Sequence, residues 1–461
     1  MKILKLQHTT LLIISALIFP IALLSPISMW ILLFFPSLFF FYLKKNKLEY
    51  FQKPDIAEYL IVIFVLFSCI SLFWTNNTHF GIKNSISISF LLISFLIINK
   101  EKLTFPNIKS IERVFLISYL ATTIFILMNV YFELGIKPWL GLLFDKAFTN
   151  KEIEVGSYFS FFKNLQKGTY SGSYHRALTV ISVFFFIIAS LFHKYKVLVL
   201  FTFIITFFTL YFGGNTTALI SFSLGTLVCL LFYVLGKSVF FPLAVLIVLY
   251  SILSPLIFKN LQTDLWYKKN SSTYVKKNLD FKNESNLLKN IIKKVERKSI
   301  HRLIIWSFSS EKIFEKIFIG HGLSSSRKIG ESKKIELIEE RDYKIINKES
   351  FSSIPLHTHN NTIQIWLELG AIGIILFYSF LILFWYKIVY KYPLKKTQSY
   401  CISGCIITIF LINQSSYGLW QPWWIASVMI LIIFFKIFNK NYDGFIDITK
   451  IPRTIKQAPN Q

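Results

Sequence analysis

Apolar and polar positions do not alternate evenly along this chain. They separate into long apolar runs divided by short polar breaks, with one polar interval far longer than the others. Twelve runs stand at roughly 9–25, 26–43, 58–75, 84–99, 113–133, 176–193, 196–212, 216–235, 239–258, 362–387, 400–414 and 420–437. An α-helix rises 1.5 Å per residue, so about 20 apolar residues cross about 30 Å of hydrocarbon. The pattern predicts an all-α, polytopic integral membrane protein of about twelve transmembrane helices, with a large loop between helices nine and ten that contains surface helices. Ser25-Pro26 makes a tight hairpin between the first two runs. The opening MKILKLQH could lead a signal peptide, but no small-residue cleavage site follows, so the first run reads as a retained span.

Lysine placement orients the spans, because short loops rich in Lys and Arg stay cytoplasmic. Lys2 and Lys5, then Lys44, Lys45, Lys47 and Lys53, then Lys100, Lys102, Lys109 and Arg113, then Lys194 and Lys196, Lys237, and finally Lys387, Lys391, Lys395 and Lys396 fall on one side. Both termini are therefore expected on the cytoplasmic side, with the long loops outside. The division that follows is 1–258 for spans one to nine, including a smaller exterior loop at about 134–175; 259–361 for the large loop; 362–440 for spans ten to twelve; and 441–461 for a polar cytoplasmic tail.

Composition agrees: 54% of the 461 residues are apolar, with 49 Phe and 22 Tyr, an excess that has to meet lipid. The net charge of +26 would suggest nucleic acid in a soluble chain. Here the excess is shared between cytoplasmic anchors and the large loop, and no zinc-finger, RNA-binding or P-loop signature is present. The large loop alone holds 21 Lys plus Arg against 12 Asp plus Glu. Such a loop attracts anionic lipid headgroups or receives phosphate groups. Cys69, Cys229, Cys401 and Cys405 all fall within spans, so neither a disulfide nor a cysteine metal site is expected. Six of the eight histidines, His79, His175, His301, His321, His357 and His359, map to the exterior side. Imidazole is the usual base near neutral pH, so that side is the expected working face.

The large loop has its own organisation. Residues 260–298 are rich in Lys and Asn and read as flexible. From Ser299 apolar residues recur at helical spacing, and Gly320 and Gly322 make a stop, which predicts an amphipathic helix along the membrane surface with Arg302 near its start. Residues 323–356 return to charge, with Arg327 and Arg341, before HTHNNTIQIWLELGAIG opens span ten at His357. Thr358 or Asn360 is placed to cap that helix, whose partial positive charge discourages protonation of His359. Glu368 falls nine residues beyond His359, a depth at which a carboxylate must be paired, protonated or facing a cavity; a structural partner is the favoured reading. Gly370 and Gly373 are read as a small-residue face that lets a neighbouring helix approach. A zinc site from His321, His357 and His359 lacks a Cys or carboxylate at ligand spacing, so no metal is expected.

His359-Asn360, nine residues, Gly370, two residues and Gly373 resemble the signature of the bacterial O-antigen ligase family, which includes O-antigen polymerases and protein O-oligosaccharyltransferases. Arg302 through Trp306, followed by IFIGHG at 317–322, is similar to the family segment in its large periplasmic loop. The resemblance implies transfer of a glycan from undecaprenyl pyrophosphate at the periplasmic face of the inner membrane, without cofactor or metal, and with lipid A–core as the ligases' acceptor. By that resemblance His359 is the general base. Arg302, Arg341, Arg176 and Arg327 are candidate pyrophosphate ligands, and Asn360, His357, Glu368, Gly370 and Gly373 are supporting residues. One departure stands out. The family commonly has an arginine at the exterior start of span eight, where this chain has Thr216; Arg176, at the exterior end of span six, is the candidate replacement. Membrane lipids are expected partners and nucleic acid is not. A polymerase or protein-directed transferase shares the local motifs. A transporter would show inverted repeats or paired broken helices near mid-membrane, and the sequence shows neither.

Overall fold

The computed structural model describes residues 2–44, 55–101, 108–132, 174–259, 267–270, 273–276, 301–332, 334–341 and 344–438. The tail after 440 and nearly all of the smaller loop lie outside the described residues, as does most of 260–298.

A helix answers each apolar run. These are α1 (Lys2–Leu24), α2 (Ile31–Leu43, continuing a 3-10 turn at Pro26–Trp30), α3 (Ile56–Ile70), α4 (Thr78–Lys100), α5 (Ile108–Tyr131), α6 (His175–Leu191), α7 (Lys196–Phe212), α8 (Thr216–Leu235) and α9 (Phe240–Lys259). Beyond the large loop follow α12 (Asn361–Tyr386), α13 (Lys396–Asn413) and α14 (Pro422–Phe438). Among the described residues seven helical stretches are long and apolar enough to cross a membrane, one of which, Thr216–Lys259, holds two helices. His175–Leu191, Lys196–Phe212 and Pro422–Phe438 are shorter apolar helices. This is a multi-pass membrane protein.

The core of the bundle is α6, buried at every residue from Ala177 to Ile188. One close helix crossing, between α8 and α13, is made by glycine. A Cβ on Gly225 of α8 would lie 2.6 Å from the Gly404 carbonyl of α13, and one on Gly404 would lie 2.6 Å from the Gly225 carbonyl, so the two backbones touch as small-residue membrane interfaces do. At the end of the bundle away from the large loop, Asp55 pairs with buried Lys387. Beside it Glu58 pairs with Lys100 at 2.8 Å.

The large loop departs from the purely helical expectation. It carries a four-stranded sheet of order β1 (Tyr267–Asn270), β2 (Thr273–Lys276), β3 (Lys334–Arg341), β4 (Lys344–Ser352). The β1–β2 and β3–β4 pairs are antiparallel and β2–β3 is parallel, with a bulge between Glu339 and Glu340. The alternation in Lys334, Ile335, Glu336, Leu337 has the period of two that a strand requires, and charge density obscures it. The expected surface helix is α10, residues 301–313, and it stops seven residues before Gly320. It buries Ile304, Ile305, Phe308 and Ile313 completely or nearly so, so it packs into the protein instead of floating on lipid. A short helix, α11 (Ser325–Glu331), follows.

α12 is not continuous. Gly370 has φ 63° and ψ −159°, which breaks the helix within the apolar run. The break frees two carbonyls and two amides, and residues 317–322 take up all four. His321 N donates to Leu367 O (2.9 Å) and Gly322 N to Glu368 O (2.8 Å), while Ala371 N donates to Ile317 O (2.8 Å) and Ile372 N to Phe318 O (3.2 Å). Every backbone group must be satisfied where water is absent, and here a piece of the large loop does it.

Candidate active site

The turn before α12 is built by its own side chains. Asn360 is the N-cap: its Oδ1 accepts from Ile363 N at 3.0 Å, while its Nδ2 donates to the Tyr250 hydroxyl of α9 at 2.8 Å. Thr358 Oγ1 donates to the Asn360 carbonyl at 2.7 Å. The Thr358 carbonyl accepts from Trp306 Nε1 of α10 at 2.8 Å. This lattice holds His359 at φ 55°, a left-handed conformation that costs a non-glycine residue about 1–3 kcal/mol and persists only where its surroundings impose it.

The twist brings two imidazoles together, with ring centroids 4.2 Å apart. His359 N donates to His357 Nδ1 at 3.1 Å. His359 Nδ1 lies 2.8 Å from the Ser416 carbonyl. A carbonyl only accepts, so Nδ1 carries the proton and Nε2 keeps its lone pair. Burial holds the His359 pKa below its usual value, assisted by the charge of Arg302 and opposed by the Ser416 carbonyl. The expected direction is right, but the leading cause is burial. Burial also takes His357 down to about 3, with His359 and Arg302 adding to it.

Arg302 sits at the start of α10, half-buried, and its charge reaches both rings. No carboxylate pairs with it among the described residues. Arg176, exposed at the start of α6, lies over the Trp423 ring at 5.6 Å. Trp423 Nε1 donates to Gln421 Oε1 at 2.9 Å, and the Gln421 amide is 3.3 Å from His357 Nε2, so Arg176 borders the same site. Arg327 is engaged elsewhere, on Glu331 at 3.2 Å and over the Phe80 ring at 5.1 Å. The Arg341 side chain lies outside what the structure describes.

The reading of the glycines needs correction. Gly370 does not open a helix face to a neighbouring helix: a Cβ there would lie 2.4 Å from Phe318 O, in the loop segment that stitches the break. A Cβ on Gly373 would lie 2.4 Å from Leu369 Cβ of the preceding turn. A single broken helix is present, without the second one that a transporter's pair would need among the described residues, and loop backbone fills the break. Of the remaining histidines, His321 Nε2 donates to the Lys312 carbonyl at 2.9 Å and His301 packs on Phe351.

Residues 414–421, between α13 and α14, were not singled out from the sequence, yet they form a wall of the site through Ser416, Gly418 and Gln421. A Cβ on Gly418 would lie 2.9 Å from His357 Cγ. The stretch QSSYGLWQPWW interrupts an apolar run with Gly, Pro and amides, a signal that reads equally well as an interfacial aromatic belt.

Sequence comparison bears on the same stretch. Residues 201–378 match the O-antigen ligase family. That stretch contains Arg302, Arg327, Arg341, His357, His359, Asn360, Glu368, Gly370 and Gly373, but neither Arg176 nor 414–421. A provisionally named polysaccharide ligase of Rickettsia conorii is 40% identical over 148 residues, 30% of this chain and 32% of its own length. Similarly named proteins of Rickettsia felis and Rickettsia typhi are 30% and 29% identical over 246 and 245 residues, each 52% of this chain and 51% of theirs. The chain thus spans a third to a half of the relatives it matches. The O-antigen ligase resemblance read from His359 to Gly373 is borne out.

Proposed function

We propose that this chain transfers a glycan from undecaprenyl pyrophosphate to a sugar hydroxyl of lipid A–core, at the periplasmic face of a bacterial inner membrane, with both termini cytoplasmic. The observation that carries the proposal is a half-buried imidazole whose Nδ1 proton is committed to Ser416 O, beside a guanidinium with no acidic partner among the described residues. His359 Nε2 takes the proton of the acceptor hydroxyl as that oxygen attacks the anomeric carbon. The bond from that carbon to the pyrophosphate oxygen breaks with inversion, and the electron pair leaves on the pyrophosphate. A placed base contributes about 10²–10⁴-fold to such a step.

Arg302 and Arg176 receive the leaving charge from two sides, and Arg341 is the third candidate. Burial works against the Arg302 charge, so an arriving anion is the counter-charge that the site lacks. Asn215 at the start of α8 donates to the His175 carbonyl at 2.9 Å. That contact joins the residues that precede Thr216 and Arg176, which supports Arg176 as the replacement for the arginine missing near Thr216. Each proton and charge step has a protein group assigned to it, so the reaction is proposed to run without metal.

Purified protein in nanodiscs, given lipid-linked glycan and lipid A–core with EDTA, tests the reading: His359→Ala should lose at least 10²-fold of the rate. Undiminished transfer by His359→Ala removes His359 from the mechanism. Lengthening of the lipid-linked glycan with lipid A–core untouched identifies a polymerase instead. Because the His359 pKa is held down, the acidic limb of kcat/KM should lie below the ordinary imidazole value near 6.5.

A further inference from the structure

Glu368 lies within the membrane-spanning part of α12 with no solvent exposure. Its carboxylate accepts four hydrogen bonds. Ser324 N (2.8 Å) and Trp420 Nε1 (2.5 Å) reach Oε2, and Ser326 Oγ (2.6 Å) and Gln364 Nε2 (3.1 Å) reach Oε1. An ionised carboxylate offers about four lone-pair positions, and all are filled by donors. Three of the donors come from two segments outside α12, and the fourth, Gln364, from α12 itself. Ser324 and Ser326 belong to the segment that descends from α10, the helix carrying Arg302. Trp420 belongs to the turn that carries the Ser416 carbonyl and Gly418, and Gln364 grips the same turn by accepting from Leu419 N at 3.0 Å.

We infer that Glu368 is a positioning residue that sets both walls of the site from beneath, fixing Arg302 through Ser324 and Ser326 and fixing the His359 tautomer through Trp420. This rests on the reading of His359 as base, but its structural half stands alone. Glu368 touches neither imidazole; it acts through the loops it holds. No neutral side chain of the same shape replaces it. A glutamine turns its NH₂ toward Ser324 N and Trp420 Nε1, or toward Gln364 Nε2, and burying unmatched donors weakens a grip whichever way it is set.

The test uses full-length protein in nanodiscs with ¹⁵N-labelled histidine. Wild type should show the His359 Nδ1–H tautomer, and Glu368→Gln should lose it or mix it with the other tautomer. The two single-donor variants should separate the walls. Trp420→Phe should move the acidic limb of the rate profile with little change in KM for the lipid-linked donor. Ser326→Ala should raise that KM several-fold and leave the limb in place. A Glu368→Gln protein that keeps the wild-type tautomer overturns the inference, as does a Trp420→Phe and Ser326→Ala pair with identical effects. Should Glu368→Gln fail to fold, the two single-donor variants decide alone. A tautomer that responds as stated in a protein without transferase activity upholds the positioning and rejects the reaction.

Discussion

At the scale of single residues, the His357–His359 pair is held neutral by its surroundings, and that has consequences for both stability and catalysis. The His357 pKa, about 3 when folded, lies below the roughly 6.5 of an unfolded chain. Between those values the unfolded state binds more protons, so stability rises with pH: it is fully present above about 6.5 and lost as pH falls, by at most about 1.4 kcal/mol per pH unit. Unfolding midpoints followed from pH 7.5 to 4.5 should therefore fall in wild type and fall less steeply in His357→Asn. Gly418 gives a sharper probe. With His357 Cγ only 2.9 Å from any added Cβ, Gly418→Ala must displace the ring. Transfer should drop about tenfold or more if roughly 1.4 kcal/mol of transition-state alignment is lost, while the unfolding midpoint moves little. Wild-type activity in Gly418→Ala would mean that the His357 position does not matter to the reaction. His359, Asn360 and Arg302 were legible in the sequence because their chemistry is carried by residue type. Ser416 was not, since its part is played by a backbone carbonyl that any residue would supply.

At the scale of elements, the decisive feature is the stitched break in α12. Glycine is required on both strands of the stitch: a Cβ on Gly320 would lie 2.4 Å from the Glu368 carbonyl carbon, and one on Gly370 would lie 2.4 Å from Phe318 O. Both residues also have positive φ, 67° and 63°. Gly370→Ala and Gly320→Ala should each cost at least about 1–3 kcal/mol from backbone conformation alone. Because each opens the same gap, the double variant should lose clearly less than the sum, which thermal unfolding of the four proteins in one detergent would measure. Strict additivity would mean that the two glycines serve separate contacts. Sequence periodicity located the helix and both glycines but not the break, because a run of apolar residues reads the same whether or not its hydrogen bonds are internal. IFIGHG and LELGAIG were each visible, whereas their pairing is a long-range contact that no local pattern encodes.

At the scale of the whole molecule, the two ends of the bundle are built differently. The large-loop end is held by hydrogen bonds around the histidines and Glu368, its Arg327–Glu331 ion pair being exposed, whereas the far end has largely buried ion pairs among Asp55, Lys387, Glu58 and Lys100. Removing one member of a buried pair costs about 3–5 kcal/mol. Lys387→Met should accordingly lower the unfolding midpoint strongly while leaving the acidic limb of the rate profile in place; a shifted limb would show that the ends are coupled. The apolar helices of the described residues and their order were readable because the bilayer demands long apolar runs. The sheet was not, since it pairs strands some sixty residues apart across β2 and β3. The stitch also bears on how such a chain is made. Synthesis runs from the amino end, so residues 317–322 are finished before the span they complete. A bilayer offers no hydrogen bonds to the four groups exposed at Gly370. Seating of the loop and opening of the helix at Gly370 then become a single event, because a span threaded into lipid before the loop docks has to close its own hydrogen bonds across the glycine.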